Sequence, residues 1–333
     1  MKKTLIAAAV ASMAAFGAQA DGHSEIQPAV VYDLGGKFDQ SFNQAAYTGA
    51  ERFLAETGIE YRDFEIQNDA QREQALRRFA SQGYNPIIAI GFSHGAAVEK
   101  VAAEFPDVDF AIVDMVVDQP NVRSIVFREH EGSYLAGVAA ALASESNAVG
   151  FVGGMDIPLI RRFECGYIGG ARSVSADIEV FGNMTGTDGS AWNNPTRGAE
   201  LARSQFERGA DVVYHAAGGT GVGVLQAAAD EGMLGIGVDS NQNGMHPGSV
   251  LTSMLKRVDN AVFDTFSDAM NGEFSYGFNV NGLAERGVGL AFDENNAELM
   301  TPAIRAAVYE AAYDIATGAV MVHDYTSDGA CPY

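Results

Sequence analysis

Asp114 follows the apolar run Phe110 to Val113, and Asp239, with Ser240 and Asn241 behind it, follows Leu234 to Val238. A carboxylate in that place often just starts a turn. In an open α/β sheet, however, the region beyond the carboxyl end of a strand is also where ligands sit. If the two runs belong to different lobes, both carboxylates can face one cleft. After the first apolar run comes Asp33 to Asn43, a glycine-containing turn that carries Phe38, Asp39, Ser41, Phe42 and Asn43 into a helix start. Asp39 or Ser41 can cap that helix by accepting its first backbone N–H groups. Both cannot cap one helix, so at least one is left to face a ligand. Phe38 and Phe42, four apart, make a staple or core pair unless one of them is exposed beside the turn.

Val212 to Gly223 reads as strand, glycine loop and helix start, with Asp239 at roughly the 20-residue distance of a ribose-binding acid in dinucleotide sites. The glycines depart from that fingerprint, running Gly219-x-Gly221-x-Gly223. What survives is a set of backbone N–H groups at a helix start and a carboxylate suited to a ribose diol. His215, on the apolar strand, reads as a satisfied core residue. Trp192, the only tryptophan, sits in the polar turn Gly189 to Pro195 just before a helix. An indole there reads as a ligand platform, the alternative being surface or hinge packing. No H-E-x-x-H pair or P-loop is present, and the six histidines are scattered singly. Neither a catalytic residue nor a metal or cofactor is therefore expected.

The elements that would hold these residues alternate. Apolar runs at Ala29–Tyr32, Ile87–Ile90, Phe110–Val113, Ala148–Val152, Val212–His215, Leu234–Val238 and Val250–Ser253 are separated by helical patterns. Those patterns fall at Asn43–Glu56, Gln71–Gln82, Ala96–Glu104, Tyr134–Ser144, Pro195–Arg208 and Val222–Glu231. Such alternation implies parallel sheets covered by helices on both faces. The first group of strands ends near Phe127 and the second begins near Ala148, so a lobe boundary is expected between them. The absence of a Pro- or Ser-rich linker implies several crossovers.

Met1-Lys2-Lys3, an apolar run from Leu5 to Phe16 and Ala18-Gln19-Ala20 form a secretory signal over residues 1–20. That run is too short to span a membrane. No Cys follows the cleavage site, so a periplasmic protein without a lipid anchor is expected, and a monomer. The remainder of the 333 residues is long enough for two domains. A formal charge of -22 disfavours nucleic acid and anionic ligands and favours a neutral or cationic one. Cys165 and Cys331 are the only cysteines. Export and an even count favour a bond between them, with two separate buried thiols as the alternative.

Several blocks also carry a family resemblance: Asp33 to Gly49 (DLGGKFDQSFNQAAYTG), Phe127 to Gly137 (FREHEGSYLAG), Gly150 to Gly170 (GFVGGMDIPLIRRFECGYIGG), Val213 to Val224, Ile236 to Gln242 and Leu251 to Val258. In order and over nearly the whole chain, these resemble the basic membrane protein family of purine nucleoside receptors. The resemblance implies an α/β type I periplasmic-binding-protein fold, with two Rossmann-like lobes of parallel sheet joined by three crossovers. It places residues 21–127 plus about 254–280 in one lobe and 128–253 plus about 281–333 in the other. It further implies a purine nucleoside as ligand and an ABC transporter permease as partner. By match to the family pattern, Phe38 would stack on the base, and Asp39 and Asn43 would read its polar edge. Asp239 and Lys256 would hold ribose hydroxyls and keep each other ionised, with Asp114 and Gly219 nearby. Trp192, standing where members of the family often carry Phe, would form one wall of the base pocket opposite Phe38, and Phe163 reads as core. A sugar or autoinducer receptor on the same fold, an exported nucleoside-processing enzyme and a sensor that passes its ligand to a membrane receptor are the competing readings.

Overall fold

The structure, a computed structural model, describes residues 26–333, so the signal-peptide expectation lies outside the described residues. Strands β1 (Ala29–Tyr32), β2 (Arg62–Glu65), β3 (Ile87–Ile90), β4 (Phe110–Val113) and β5 (Val122–Phe127) build the first sheet. Strands β6 (Ala148–Met155), β7 (Glu179–Gly186), β8 (Val212–Ala216), β9 (Leu234–Asp239) and β10 (Val250–Lys256) build the second. The chain then returns with β11 (Gly277–Asn281) to the edge of the first sheet, parallel to β5, and with β12 (Val288–Leu290) to the edge of the second, antiparallel to β10. The orders are β11-β5-β4-β3-β1-β2 and β12-β10-β9-β8-β6-β7. The chain passes between the sheets three times, after β5, after β10 and after β11. The fold is the expected two-lobed α/β one.

Helices α1 (Phe42–Thr57), α2 (Ala70–Ser81), α3 (Gly95–Glu104) and α4 (Glu129–Ala143) follow the first strands in turn. Helices α5 (Pro158–Val174), α6 (Pro195–Glu207) and α7 (Gly221–Glu231) alternate with the second set, and α8 (Val258–Asn271) and α9 (Pro302–Ala316) lie in the last third. Strands β1, β3 and β4 are buried at every residue, as central parallel strands covered on both faces must be, which is why they read as unbroken apolar runs. Helix α4 starts earlier than its apolar pattern because its first turn, Glu129 to Ser133, buries polar side chains. Helices α4 and α5 cross at glycine: a Cβ on Gly137 would meet the backbone of Tyr167 and Ala171, and one on Gly170 the backbone of Tyr134. That close approach accounts for Gly137, Gly166 and Gly170 in the blocks EGSYLAG and CGYIGG.

Candidate functional site

The carboxyl ends of β1, β3 and β4 in one sheet face those of β6, β8, β9 and β10 in the other. Between them lies a cavity with about 570 Å³ of non-atom space, the open solvent at its mouth included. Its lining draws Asp33, Leu34, Asp39, Phe42, Asn43, Gly91, Phe92 and Asp114 from the first lobe. The second lobe contributes Leu159, Ile160, Phe163, Trp192, Ala216, Gly218, Val238, Asp239 and Lys256.

Lys256, the last residue of β10, is fully buried. Its Nζ lies 2.6 Å from Asp114 Oδ2 and 3.0 Å from Glu129 Oε1. The rings of Phe42, Phe127 and Phe163 stand around it at 5.1, 5.2 and 5.6 Å. Burial alone would lower the ammonium's pKa, but Asp114, Glu129 and Asp239 outweigh it and raise the value, so Lys256 stays charged. Burial pushes Asp114 up to about 6 against the pull of Lys256. Glu129 is also penalised by burial, yet Lys256 and Arg162 hold it below the usual carboxylate range. Asp114 Oδ1 is shielded from solvent and has no hydrogen-bond partner, although the residue lines the cavity. A buried carboxylate oxygen left open in this way is an acceptor waiting for a hydroxyl.

Asp239 occupies the matching place on the other lobe. Both aspartates hold left-handed backbone, φ 68° at Asp114 and 63° at Asp239, a conformation that Asp tolerates and that is concentrated at functional turns. Ser41 Oγ donates to Asp239 Oδ2 across the cleft at 2.7 Å. Burial pushes Asp239 up to about 7, opposed by Lys256 and by this hydrogen bond. The expected Asp239–Lys256 pair is therefore replaced: Lys256 goes to Asp114 and Glu129, and Asp239 to Ser41.

Asp39 takes the capping role, accepting from the backbone N–H groups of Ser41, Asn43 and Gln44 at 2.8, 3.0 and 3.0 Å, which leaves Ser41 free to reach the other lobe. Asn43 holds the turn by accepting from the Asp33 N–H at 3.1 Å, and both residues still line the cavity. Phe38 does not. Its ring is 61% exposed, set edge-on to Tyr47 at 5.2 Å with Lys37 over both, because the turn points it outward before the helix begins. Phe42, four residues on, faces the cavity instead. Trp192 lines the opposite lobe, with its indole lying where a Cβ on Gly154 would be. Gly218 rather than Gly219 lines the cavity, but a Cβ on Gly219 would come within 3.7 Å of Asp39 Cβ. Phe163 is both core and lining, 3% exposed. His215 is buried, its Nε2 2.9 Å from Gln242 Oε1.

Reading the sequence did not find Glu129, Arg162, Asp33 or Phe92. A signal existed for Glu129, which opens a helix amid residues that bury their polar side chains. Cys165 and Cys331 are bonded, with Cα atoms 5.6 Å apart.

Residues 26–308 match the family model for PnrA-like ABC transporter substrate-binding proteins, Bmp. The chain belongs to the Bmp family. It is 34% identical to an ABC transporter nucleoside-binding protein, BmpA, of Lactococcus lactis, an alignment covering 97% of this chain and 99% of that one. It is 35% identical to a CD4+ T-cell-stimulating antigen of Listeria monocytogenes over 80% of each. Among solved structures, a solute-binding protein of an ABC transporter system from Aeropyrum pernix superposes with a TM-score of 0.82 at 30% identity, over 90% of this chain and 94% of that one. As a member of the family, the chain is a substrate-binding protein of an ABC transporter. A relative from Pyrococcus abyssi, 33% identical, is named a lipoprotein, which runs against the expectation of a protein without a lipid anchor.

Proposed function

We propose that this Bmp-family chain captures a purine nucleoside between its lobes and delivers it to an ABC importer. One observation carries the reading: the cavity sets four aromatic rings, Phe42, Phe92, Phe163 and Trp192, against a buried carboxylate, Asp114, that keeps one oxygen open. Rings of that kind take the face of a base. Asp114, Asp239 and Lys256 are suited to ribose hydroxyls, and Asp39 and Asn43 to the polar edge of the base. A buried site built for particular hydroxyl and N–H groups rejects analogues that lack them. The Lactococcus relative, a nucleoside-binding protein by name, agrees with this reading. Nucleoside monophosphates are disfavoured, because three aspartates besides Asp33 line the cavity while Lys256, the only lining cation among the described residues, is already paired.

Thermal-shift titration tests this. Guanosine, inosine or adenosine should raise the melting temperature by mass action, and free ribose and monophosphates should not. Stabilisation by a monophosphate equal to that by its nucleoside would refute the charge argument. The mature chain is proposed to act as a monomer free in the periplasm. Fractionation of the native host checks this, since recovery in the membrane pellet would show an anchor.

A further inference from the structure

Arg162 of α5 lies outside the cavity but is joined to it. Its NH1 donates to Glu129 Oε2 and to the carbonyl of Phe127, both at 2.9 Å, where the chain first passes between the sheets. Its Nε and NH2 grip the two oxygens of Asp324 at 2.8 and 2.9 Å, and NH2 also donates to Thr326 Oγ1 at 2.6 Å. A guanidinium has five N–H donors, and here all five are used. Glu129 in turn holds Lys256 with its other oxygen, and Lys256 holds Asp114. A continuous line of alternating charge therefore runs from the C-terminal strap, residues 324–333, to Asp114 at the cavity.

The strap itself is fixed to α5 at three places. Asp324 and Thr326 hold Arg162, Cys331 is bonded to Cys165, and the ring of Tyr333 lies where a Cβ on Gly169 would be. Positions 162, 165 and 169 step by three and four and so share one helix face. The strap thus covers one stripe of the helix whose far side, through Leu159, Ile160 and Phe163, lines the cavity.

We infer that the strap is a remote part of the ligand site: through Arg162 as a positioning residue it fixes the place and charge of the Glu129–Lys256–Asp114 cluster that meets the ligand. Breaking the strap loosens Arg162, leaves Glu129 to Lys256 alone, and weakens the grip of Lys256 on Asp114. The other charged groups near this line are His130, Arg128, Asp239 and Asp39. Burial holds His130 down at about 4, so it is neutral where the cluster titrates. The inference takes its ligand from the nucleoside reading, but its test also has a ligand-free arm.

Four variants, Arg162→Gln, Arg162→Lys, Asp324→Asn and Cys331→Ser, are compared with the parent by calorimetric titration with inosine across pH 5 to 8. The same proteins, empty, are titrated by the emission of Trp192, the only indole, which shares the cavity with Asp114. Arg162→Gln should lose roughly tenfold or more in affinity. Its pH midpoint should rise by about one unit in both readouts, because the cation that favours the ionised carboxylates is gone. Arg162→Lys should restore the midpoint. Asp324→Asn and Cys331→Ser should move affinity and midpoint the same way by less. If the variants lose melting temperature while affinity and midpoint stay at parent values, the strap is only a staple and the inference falls. A parent that binds no nucleoside, with variants that still show shifted emission midpoints when empty, would refute the ligand reading and leave the inference standing.

Discussion

At the scale of single residues, the cavity makes opposite demands on two phenylalanines that the sequence presents alike. Phe42→Ala should weaken nucleoside binding, and Phe38→Ala should leave it within error, as read by calorimetry. Stacking on an indole contributes on the order of 1 to 3 kcal/mol. Trp192→Ala should therefore lose about tenfold or more in affinity while Trp192→Phe loses little. The types and places of Asp114, Asp239, Asp39 and Asn43 were legible, because chemistry at the carboxyl end of a strand follows from the sheet pattern alone. Which aromatic turns inward was not, since one residue's rotation in a turn decides it. The partner of Lys256 was not legible either, because Glu129 comes from a helix that crosses to the other lobe. The pH dependence follows from burial. Asp239, raised from 3.8 to about 7, binds its proton more tightly in the folded than in the unfolded chain. Its contribution to stability is thus fully present below pH 3.8 and is lost as pH rises towards 7. Hydroxyl donors from a ligand favour the ionised form, so nucleoside binding near pH 6.5 should release protons. Titrations in buffers of different ionisation enthalpy measure this directly, and uptake instead of release would contradict it.

Elements are where the sequence spoke most clearly. The buried strands β1, β3 and β4 stand at the residues their apolar runs mark. The edge strand β2, with the sequence RDFE, and β11, largely exposed, lack the apolar run because they bury one side or less. Helix α5 is masked by its own glycines, which the crossing with α4 requires. Gly154, near the end of β6, gives the site a further test. Its missing Cβ is what lets the indole of Trp192 lie flat on the strand, so Gly154→Ala must push the ring off its seat. Affinity should fall by an amount comparable to Trp192→Ala, and the double variant should lose little more, since the two changes remove one interaction. Additive losses in a double-mutant cycle would show that the seat and the ring act separately.

Across the whole molecule, the chain passes between the two sheets three times. The backbone N–H of Arg128 donates to Asn281 O, that of Arg257 to Gly287 O, and that of Leu283 to Glu131 Oε2. On the cleft side Ser41 Oγ donates to Asp239, Ser240 Oγ to Ser41 O and Gln242 Nε2 to Gln40 O, beside the buried Lys256–Asp114 pair. Each such hydrogen bond is worth about 1 kcal/mol net. A ligand that touches both lobes adds its contacts to these and favours the closed form. Small-angle scattering should show a smaller radius of gyration with nucleoside than without, and Ser41→Ala should favour the larger form when empty. The central claim is the nature of the ligand, and one calorimetric series on the parent protein addresses it most directly. Inosine, guanosine and adenosine are titrated beside ribose, arabinose and inosine monophosphate, with the cell contents assayed afterwards for free base. The account predicts saturable one-to-one binding of at least one nucleoside, no heat from the sugars or the monophosphate, and intact nucleoside at the end. Binding of a sugar without any nucleoside, or release of free base, would contradict it.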